Sequence, residues 1–325
     1  MNVALLQQLA AQSQISHSPP ENWQQKLQDL LSCEVRLDEP LRRYSWMKVG
    51  GNADALVAPD HIEELQKILK FASENHLHWM VLGFGSNVLI KDGGIRGIVI
   101  RLHKLFQQFD ILEEDDTTCY VKVGAAYPLP KLVDWAKEKG CQNIEVLYGI
   151  PATLGGALWM NAGTRAGEIE QFVESITVLR AEGGFKDYPK EKLDFSYRHL
   201  KFPGKGLITA CQLKFVKTDP EKVKEKVQGY QLKRQSTQPL DQPSLGSIFK
   251  NPPQAFAAQM IDEIGLKGVR VGGARISEKH ANFIVNENNA SAKDVLTLIS
   301  LMKDKVKEHF DERLELEIKV VGEDV

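Results

Sequence analysis

Cysteine is scarce in this chain of 325 residues. The four present, Cys33, Cys119, Cys141 and Cys211, form no C-x-x-C pair and have no histidine at ligand spacing. A disulfide scaffold and a structural zinc site are therefore excluded, and reduced thiols in a cytosolic compartment are expected. Excess charge of one sign is also missing. Lys and Arg number 41 against 43 Asp and Glu, a formal net charge of −2, without the basic surplus of a nucleic-acid binder. The 25 glycines and 14 prolines show no period, which removes collagen-like and solenoid architectures. There is no H-E-x-x-H, no EF-hand loop and no carboxylate cluster at ligand spacing, so no metal site is expected. A monovalent cation held by backbone carbonyls would leave no mark in the sequence. The N-terminus lacks the basic and apolar regions of a signal peptide. One charge-free stretch, Val146–Thr164, approaches membrane-spanning length, but it contains Gly149, Pro151, Gly155, Gly156, Asn161 and Gly163. That composition reads as buried glycine-rich backbone rather than a lipid-facing helix. A cytoplasmic protein with neither membrane nor nucleic-acid partners is expected.

What is present is a globular composition, 42% apolar and 26% charged, at a length of about two to three domains. Residues 1–40 read as a helical extension, with one helix through Gln8, Gln12 and Gln14 and a second ending near Leu31. The segment 41–104 reads as one β-α-β unit followed by strands joined by glycine turns. In it a strand lies near Ala55, Asp60 stands as N-cap of a helix carrying Ile62, Leu65, Ile68, Leu69 and Phe71, and strands follow at 79–82, 88–90 and 97–102. Residues 105–218 alternate mostly as strands, with a helix at 130–139. A charged helix at 220–235 marks the boundary of a third unit, 219–306. The alternating segment 314–322, within the closing stretch 307–325, is expected to be a strand that returns to the strand-rich middle unit.

Two loops carry a ligand signal. Gly83-x-Gly85 follows a strand, but Val88 stands where a dinucleotide fingerprint needs its third glycine, and apolar strand follows instead of a helix. The Rossmann reading fails. The loop can still hold a phosphate, through backbone N–H groups at Gly83 and Gly85 and the side chains of Ser86 and Asn87, although a plain tight turn has the same composition. The second loop runs from Gly149-Ile150-Pro151 through Gly155-Gly156 to Asn161-Ala162-Gly163. A helix starting near Thr153 would aim amides at an anion, and small residues would admit a large flat ligand; packing glycines in a tight core are the alternative. Neither loop has a Walker lysine, which favours a bound dinucleotide cofactor over a hydrolysed triphosphate.

In order along the chain stand Lys48-Val49-Gly50-Gly51, Leu82-Gly83-Phe84-Gly85-Ser86-Asn87, Gly149-Ile150-Pro151 with Gly155-Gly156-Ala157 and Met160-Asn161-Ala162-Gly163, and Phe195-Ser196-Tyr197-Arg198. Then come Thr237-Gln238-Pro239-Leu240, Gly246-Ser247-Ile248-Phe249-Lys250-Asn251-Pro252, Ser277-Glu278-Lys279-His280-Ala281-Asn282-Phe283, and Glu317. This ordered set resembles the UDP-N-acetylenolpyruvoylglucosamine reductase family over roughly residues 41–323. It departs from the family's usual pattern at Ala152, Trp46-Met47 and Thr164-Arg165-Ala166-Gly167.

The resemblance implies an α+β chain: a two-subdomain FAD-binding fold of the vanillyl-alcohol-oxidase (PCMH) type plus a C-terminal α+β substrate-binding domain. It implies FAD as cofactor, held by Gly83, Gly85, Ser86, Asn87, Ile150, Pro151, Gly155, Gly156, Asn161, Ala162 and Gly163, and NADPH as reductant. The implied substrate is UDP-N-acetylglucosamine enolpyruvate, reduced to UDP-N-acetylmuramate by a monomeric enzyme. Arg198 would pair in a fork with the substrate carboxylate. Ser247 would donate the proton, and Glu317 would stand beside the carboxylate with its pKa raised by burial. Lys250 and Asn251 would orient substrate. Taken singly, Arg198 reads as a surface ion-pair residue, Ser247 as a turn serine, Glu317 as a solvated strand face, Asn251 as a helix cap and His280 as structural.

Overall fold

Short apolar runs separated by glycine turns build the first unit of the computed structural model, which describes residues 20–180 and 183–325. The helix expected through Gln8–Gln14 lies outside the described residues. Helix α1 (Trp23–Leu30) buries Trp23 and Leu27. Strand β1 (Val35–Pro40) then pairs antiparallel with β2 (Asn52–Val57), so the helical extension expected over 1–40 gives way to sheet at Val35. The half-exposed pattern of β1 hides it from an apolar-run search. Helix α2 (Ile62–Glu74) packs Leu65, Ile68 and Leu69 into the same core as α1. Its N-cap is His61 rather than Asp60. The buried Glu64 accepts hydrogen bonds from the Ser32 and Cys33 amides at 2.9 and 2.7 Å, tying the α1–β1 connection to α2. Strands β3 (Trp79–Val81), β4 (Val88–Ile90) and β5 (Ile95–Ile100) follow. The sheet order is β1-β2-β5-β3, with β5 parallel to both β2 and β3. Strand β4 leaves this sheet.

The second unit contains β6 (Phe109–Glu114), β7 (Thr118–Gly124), α3 (Leu129–Glu138), α4 (Leu154–Trp159), the short hairpin β8 (Gly163–Thr164) and β9 (Gly167–Glu168), β10 (Val173–Arg180), β11 (Phe185–Pro189), β12 (Asp194–Ser196), β13 (His199–Lys201) and β14 (Gly206–Val216). Its five-stranded antiparallel sheet runs β11-β10-β14-β7-β6. Cys119, Cys141 and Cys211 are buried and unpaired, and burial pushes the Cys141 thiol up to about 12, which removes it as a nucleophile at neutral pH. Helix α5 (Pro220–Thr237), capped by Asp219, leads into the third unit. There β15 (Ser244–Ser247), α6 (Ala257–Glu263), β16 (Arg270–Val271), β17 (Ala274–Ile276), β18 (Phe283–Asn286) and α7 (Ala292–Phe310) form an antiparallel sheet, β15-β18-β17-β16, backed by α7.

The closing strand does not join the middle sheet. Strand β19 (Lys319–Val321) pairs in parallel with β4, Lys319 opposite Val88 and Val321 opposite Ile90. The reason is local. The Asp92-Gly93-Gly94 turn leaves β4 without a partner in its own sheet, and Gly94 approaches Asn52 so closely that a Cβ there would lie 2.0 Å from its carbonyl oxygen. An alternating pattern identifies a strand but not its neighbour. Through this pairing Met47, Val49, Leu89 and Ile318 enter the core of the third unit, so the termini of the site are fixed by one apolar cluster.

Candidate active site

Backbone conformation comes first at the site. None of the five successive N–H groups from Gly83 to Asn87 donates to an acceptor among the described residues. Gly85 adopts φ +66°, and a Cβ there would lie 2.2 Å from the Tyr44 carbonyl oxygen. Such a run of unpaired amides is an anion nest. Gly85→Ala is expected to cost at least about 1–2 kcal/mol for the left-handed backbone alone and to displace the loop, which ligand retention during gel filtration would report. The second loop adjoins the first: a Cβ on Gly83 would come 2.8 Å from Thr153 Oγ1. Thr153 caps α4, its hydroxyl accepting from the Gly156 amide at 3.3 Å. The two adjacent glycines differ in purpose. Gly155 packs on Ala125, whereas a Cβ on Gly156 would meet only Thr153 Oγ1, at 3.4 Å. Gly149 packs against the Arg234 side chain and Gly163 against the Gly167 carbonyl. Ile150 and Ala152 pack on the middle core, and Ala162 belongs to it.

Arg198, between β12 and β13, holds φ +59°, a strained setting for a side-chain-bearing residue. Its guanidinium is nearly saturated. Nε donates to Glu317 Oε1 at 2.8 Å, Nη1 to Glu168 Oε1 at 2.7 Å and to the Asn161 carbonyl at 3.4 Å, and Nη2 to the Gly163 carbonyl at 3.0 Å. Four of five N–H groups are engaged. The fork expected of Arg198 is therefore not available; one N–H on Nη2 has no acceptor among the described residues. Glu317 is placed by its backbone: its N–H donates to the Ile248 carbonyl at 2.9 Å, its carbonyl accepts from Asn87 Nδ2 at 3.2 Å, and Lys319 N–H donates to the Asn87 carbonyl at 2.9 Å. The first glycine loop, the C-terminal segment and the strand end carrying Ser247 thus meet at one point. Ser247 ends β15 opposite Phe283, its hydroxyl has no partner among the described residues, and a Cβ on the preceding Gly246 (φ +72°) would meet nothing within 4 Å.

Burial raises the Glu317 carboxyl above its ordinary 4.5, even with Arg198 pulling the other way, the direction that the resemblance implies. Glu168 is raised by the same cause. A carboxyl raised by folding holds its proton more tightly in the native chain, so its contribution is fully present below pH 4.5 and is lost as pH rises through the folded value. The Tm of the wild type minus that of Glu317→Gln is expected to fall across that window; a difference that grows with pH would contradict the shift.

Against known proteins, residues 238–321 match the family model "UDP-N-acetylenolpyruvoylglucosamine reductase, C-terminal domain", and residues 53–187 match "FAD binding domain". Reductases of that name from Clostridium tetani and Listeria welshimeri are 38% and 40% identical, over 92% and 89% of this chain and 95% and 96% of theirs. The chain belongs to the UDP-N-acetylenolpyruvoylglucosamine reductase family. The crystal structure of the Thermus caldophilus UDP-N-acetylenolpyruvylglucosamine reductase superposes with a TM-score of 0.76 at 39% identity, covering 89% of this chain and 99% of that one. The chain combines an FAD-binding domain with the reductase C-terminal domain, and FAD is the cofactor. The residues present fit it: the 83–87 amides await an anion, and the space over Gly156 and Gly246 is what a Cβ would fill.

Within this reductase one expectation changes, and the partners of other motif residues come into view. Asn161 is fully buried and spends its amide inside the protein, Nδ2 on Glu168 and Glu170 carboxylates at 2.8 and 2.9 Å and on the Ser196 carbonyl at 3.2 Å, so its side chain is not a cofactor contact. Asn251 caps α6, Oδ1 accepting from the Ala257 amide at 3.1 Å. Lys250 leans toward Glu315, 3.5 Å away. Asn282, from the Ser277–Phe283 motif, binds both the N–H and the carbonyl of Phe249, at 2.9 and 2.8 Å, and so fixes the strand end that follows Ser247. His280 is half-buried and packs edge-on against Phe283. The sequence reading overlooked Glu168: it follows directly on Thr164–Gly167, and only an acid placed shortly after Asn161-Ala162-Gly163 could have signalled it. Among the described residues no group of side chains could hold a metal ion, and no helix is long and apolar enough to cross a membrane.

Proposed function

We propose that this reductase converts UDP-N-acetylglucosamine enolpyruvate to UDP-N-acetylmuramate in peptidoglycan synthesis, with NADPH as electron donor, acting as a cytoplasmic monomer on a small molecule and on no nucleic acid or membrane. Bound FAD would supply the hydride chemistry, through which a hydride from NADPH would reach the methylene carbon of the enolpyruvyl double bond. Negative charge then develops on the neighbouring carbon and its carboxylate. The remaining Nη2 N–H of Arg198, on a guanidinium that Glu317 ties in place, stabilises that charge, and the Ser247 hydroxyl supplies the proton to the carbon. One hydride and one proton add across the double bond, so the product gains two hydrogens and one NADPH is oxidised. The backbone amides of 83–87, with Ser86 and Asn87, would hold the cofactor's phosphates, and the backbone around Pro151, Gly156 and Gly163 would hold its flat ring. Lys250 and Asn251 Nδ2, which has no acceptor among the described residues, orient the sugar nucleotide. For the domains we propose FAD-binding parts over 41–104 and 105–218 and a substrate domain over 219–306.

The observation that carries this reading is the 2.8 Å pair between Arg198 and Glu317, held through Ile248 beside the Ser247 hydroxyl, which has no partner among the described residues. Mass spectrometry of the anaerobic reaction tests it. One product heavier by two hydrogens per NADPH consumed is expected. NADPH oxidation that requires oxygen and leaves the sugar nucleotide unchanged would point to an oxidase on the same fold, and a flavin reduced by nothing to a binding protein.

A further inference from the structure

We infer that Glu168 is a positioning residue for the enolpyruvyl reduction, aiming the one unspent N–H of Arg198; this rests on the role given above to Arg198. Glu168 closes the β8–β9 hairpin opposite Gly163. Both of its oxygens are engaged, Oε1 by Arg198 Nη1 at 2.7 Å and Oε2 by Asn161 Nδ2 at 2.8 Å. The carboxylate is therefore pinned at each end. Asn161 is itself fully buried, donates to Glu170 and Ser196, and accepts from the Glu170 amide at 3.3 Å.

The geometry separates Glu168 from Glu317. Glu317 holds the guanidinium at Nε, the nitrogen nearest the chain, and a plane tied there alone can still swing about the bond that carries it. A second charged acceptor on Nη1 stops that swing and fixes where Nη2 points. The carbonyls of Asn161 and Gly163 are neutral and hold less strongly than a carboxylate. Arg198 also sits on strained backbone, so its own conformation does not supply the aim. Loss of Glu168 is thus expected to act on the chemical step through Arg198 while sparing the reaction with NADPH.

The test compares wild type, Glu168→Gln, Glu168→Asp, Arg198→Lys and the Glu168→Gln/Arg198→Lys double variant, as holoenzymes without oxygen. Flavin bleaching by NADPH and recovery of colour on adding the enolpyruvyl sugar nucleotide are timed separately. In Glu168→Gln, recovery is expected to slow about 10- to 100-fold, with KM for the sugar nucleotide and the bleaching rate changed less than about threefold. Glu168→Asp keeps the charge on a shorter arm and should fall between, and it stands in if the Gln variant fails to fold. The double variant should recover no more than about threefold slower than Arg198→Lys alone. Wild-type recovery in Glu168→Gln, fully multiplicative losses, or equal slowing of both half-reactions with loss of FAD would each overturn the inference while Arg198→Lys remains slow. An Arg198→Lys enzyme that recovers at the wild-type rate would sink the role of Arg198 itself, and this inference with it.

Discussion

Ser247→Ala is expected to leave bleaching of the flavin by NADPH within about threefold of wild type and to slow reoxidation by the enolpyruvyl sugar nucleotide about 10²–10⁴-fold, the range for loss of a positioned proton donor. The asymmetry follows from where the residue sits. Its hydroxyl has no partner among the described residues, and Gly246 beside it leaves open space, so nothing in the fold depends on that oxygen. Deleting it empties no core and breaks no hydrogen bond, and Tm should stay within about 1–2 °C, as for a substitution away from buried structure. Stopped-flow absorbance separates the two half-reactions. Equal slowing of both, or turnover unchanged, would remove Ser247 from the chemistry.

Arg198→Met has the larger structural effect. It leaves the Glu168 and Glu317 carboxylates, about one-fifth exposed, facing the space of a lost cation. Removing one partner of a buried ion pair typically costs about 3–5 kcal/mol, and these exposures place the site toward the lower end. Part of the cost is relieved when the carboxyls take up protons, so the loss should be smaller at pH 5 than at pH 8. Methionine also fails to stabilise charge on the substrate, adding a rate loss of about 10²–10³. Thermal denaturation at the two pH values, with half-reaction kinetics, checks both. A variant as stable as wild type at pH 8 would mean that the two carboxylates are already neutral there.

The two glycine loops were legible because their signals are local: a glycine following a strand and a glycine pair before Ala157 announce themselves within a few residues. Arg198, Ser247 and Glu317 read singly as structural residues, and only the ordered set of motifs along the whole chain singled them out. Three features were not. The partner of β19 depends on how the Asp92–Gly94 turn strands β4, which no pattern within 314–322 encodes. The strand at Val35–Pro40 shows only Glu39 buried, so its alternation carries no apolar signature. Arg198's fork failed because its hydrogen-bond partners lie 30 to 119 residues away in sequence. A guanidinium reads as available until the acceptors around it are counted. Glu168 escaped for the same reason, since its meaning comes from Arg198 and Asn161 rather than from its neighbours.

One anaerobic titration of the purified holoenzyme tests the convergence of Arg198, Ser247 and Glu317 most directly. Its yellow colour is expected to bleach with one equivalent of NADPH and to return with one equivalent of UDP-N-acetylglucosamine enolpyruvate, no oxygen being present. A flavin that bleaches but stays colourless until air is admitted would contradict the convergence of Arg198, Ser247 and Glu317 on a substrate.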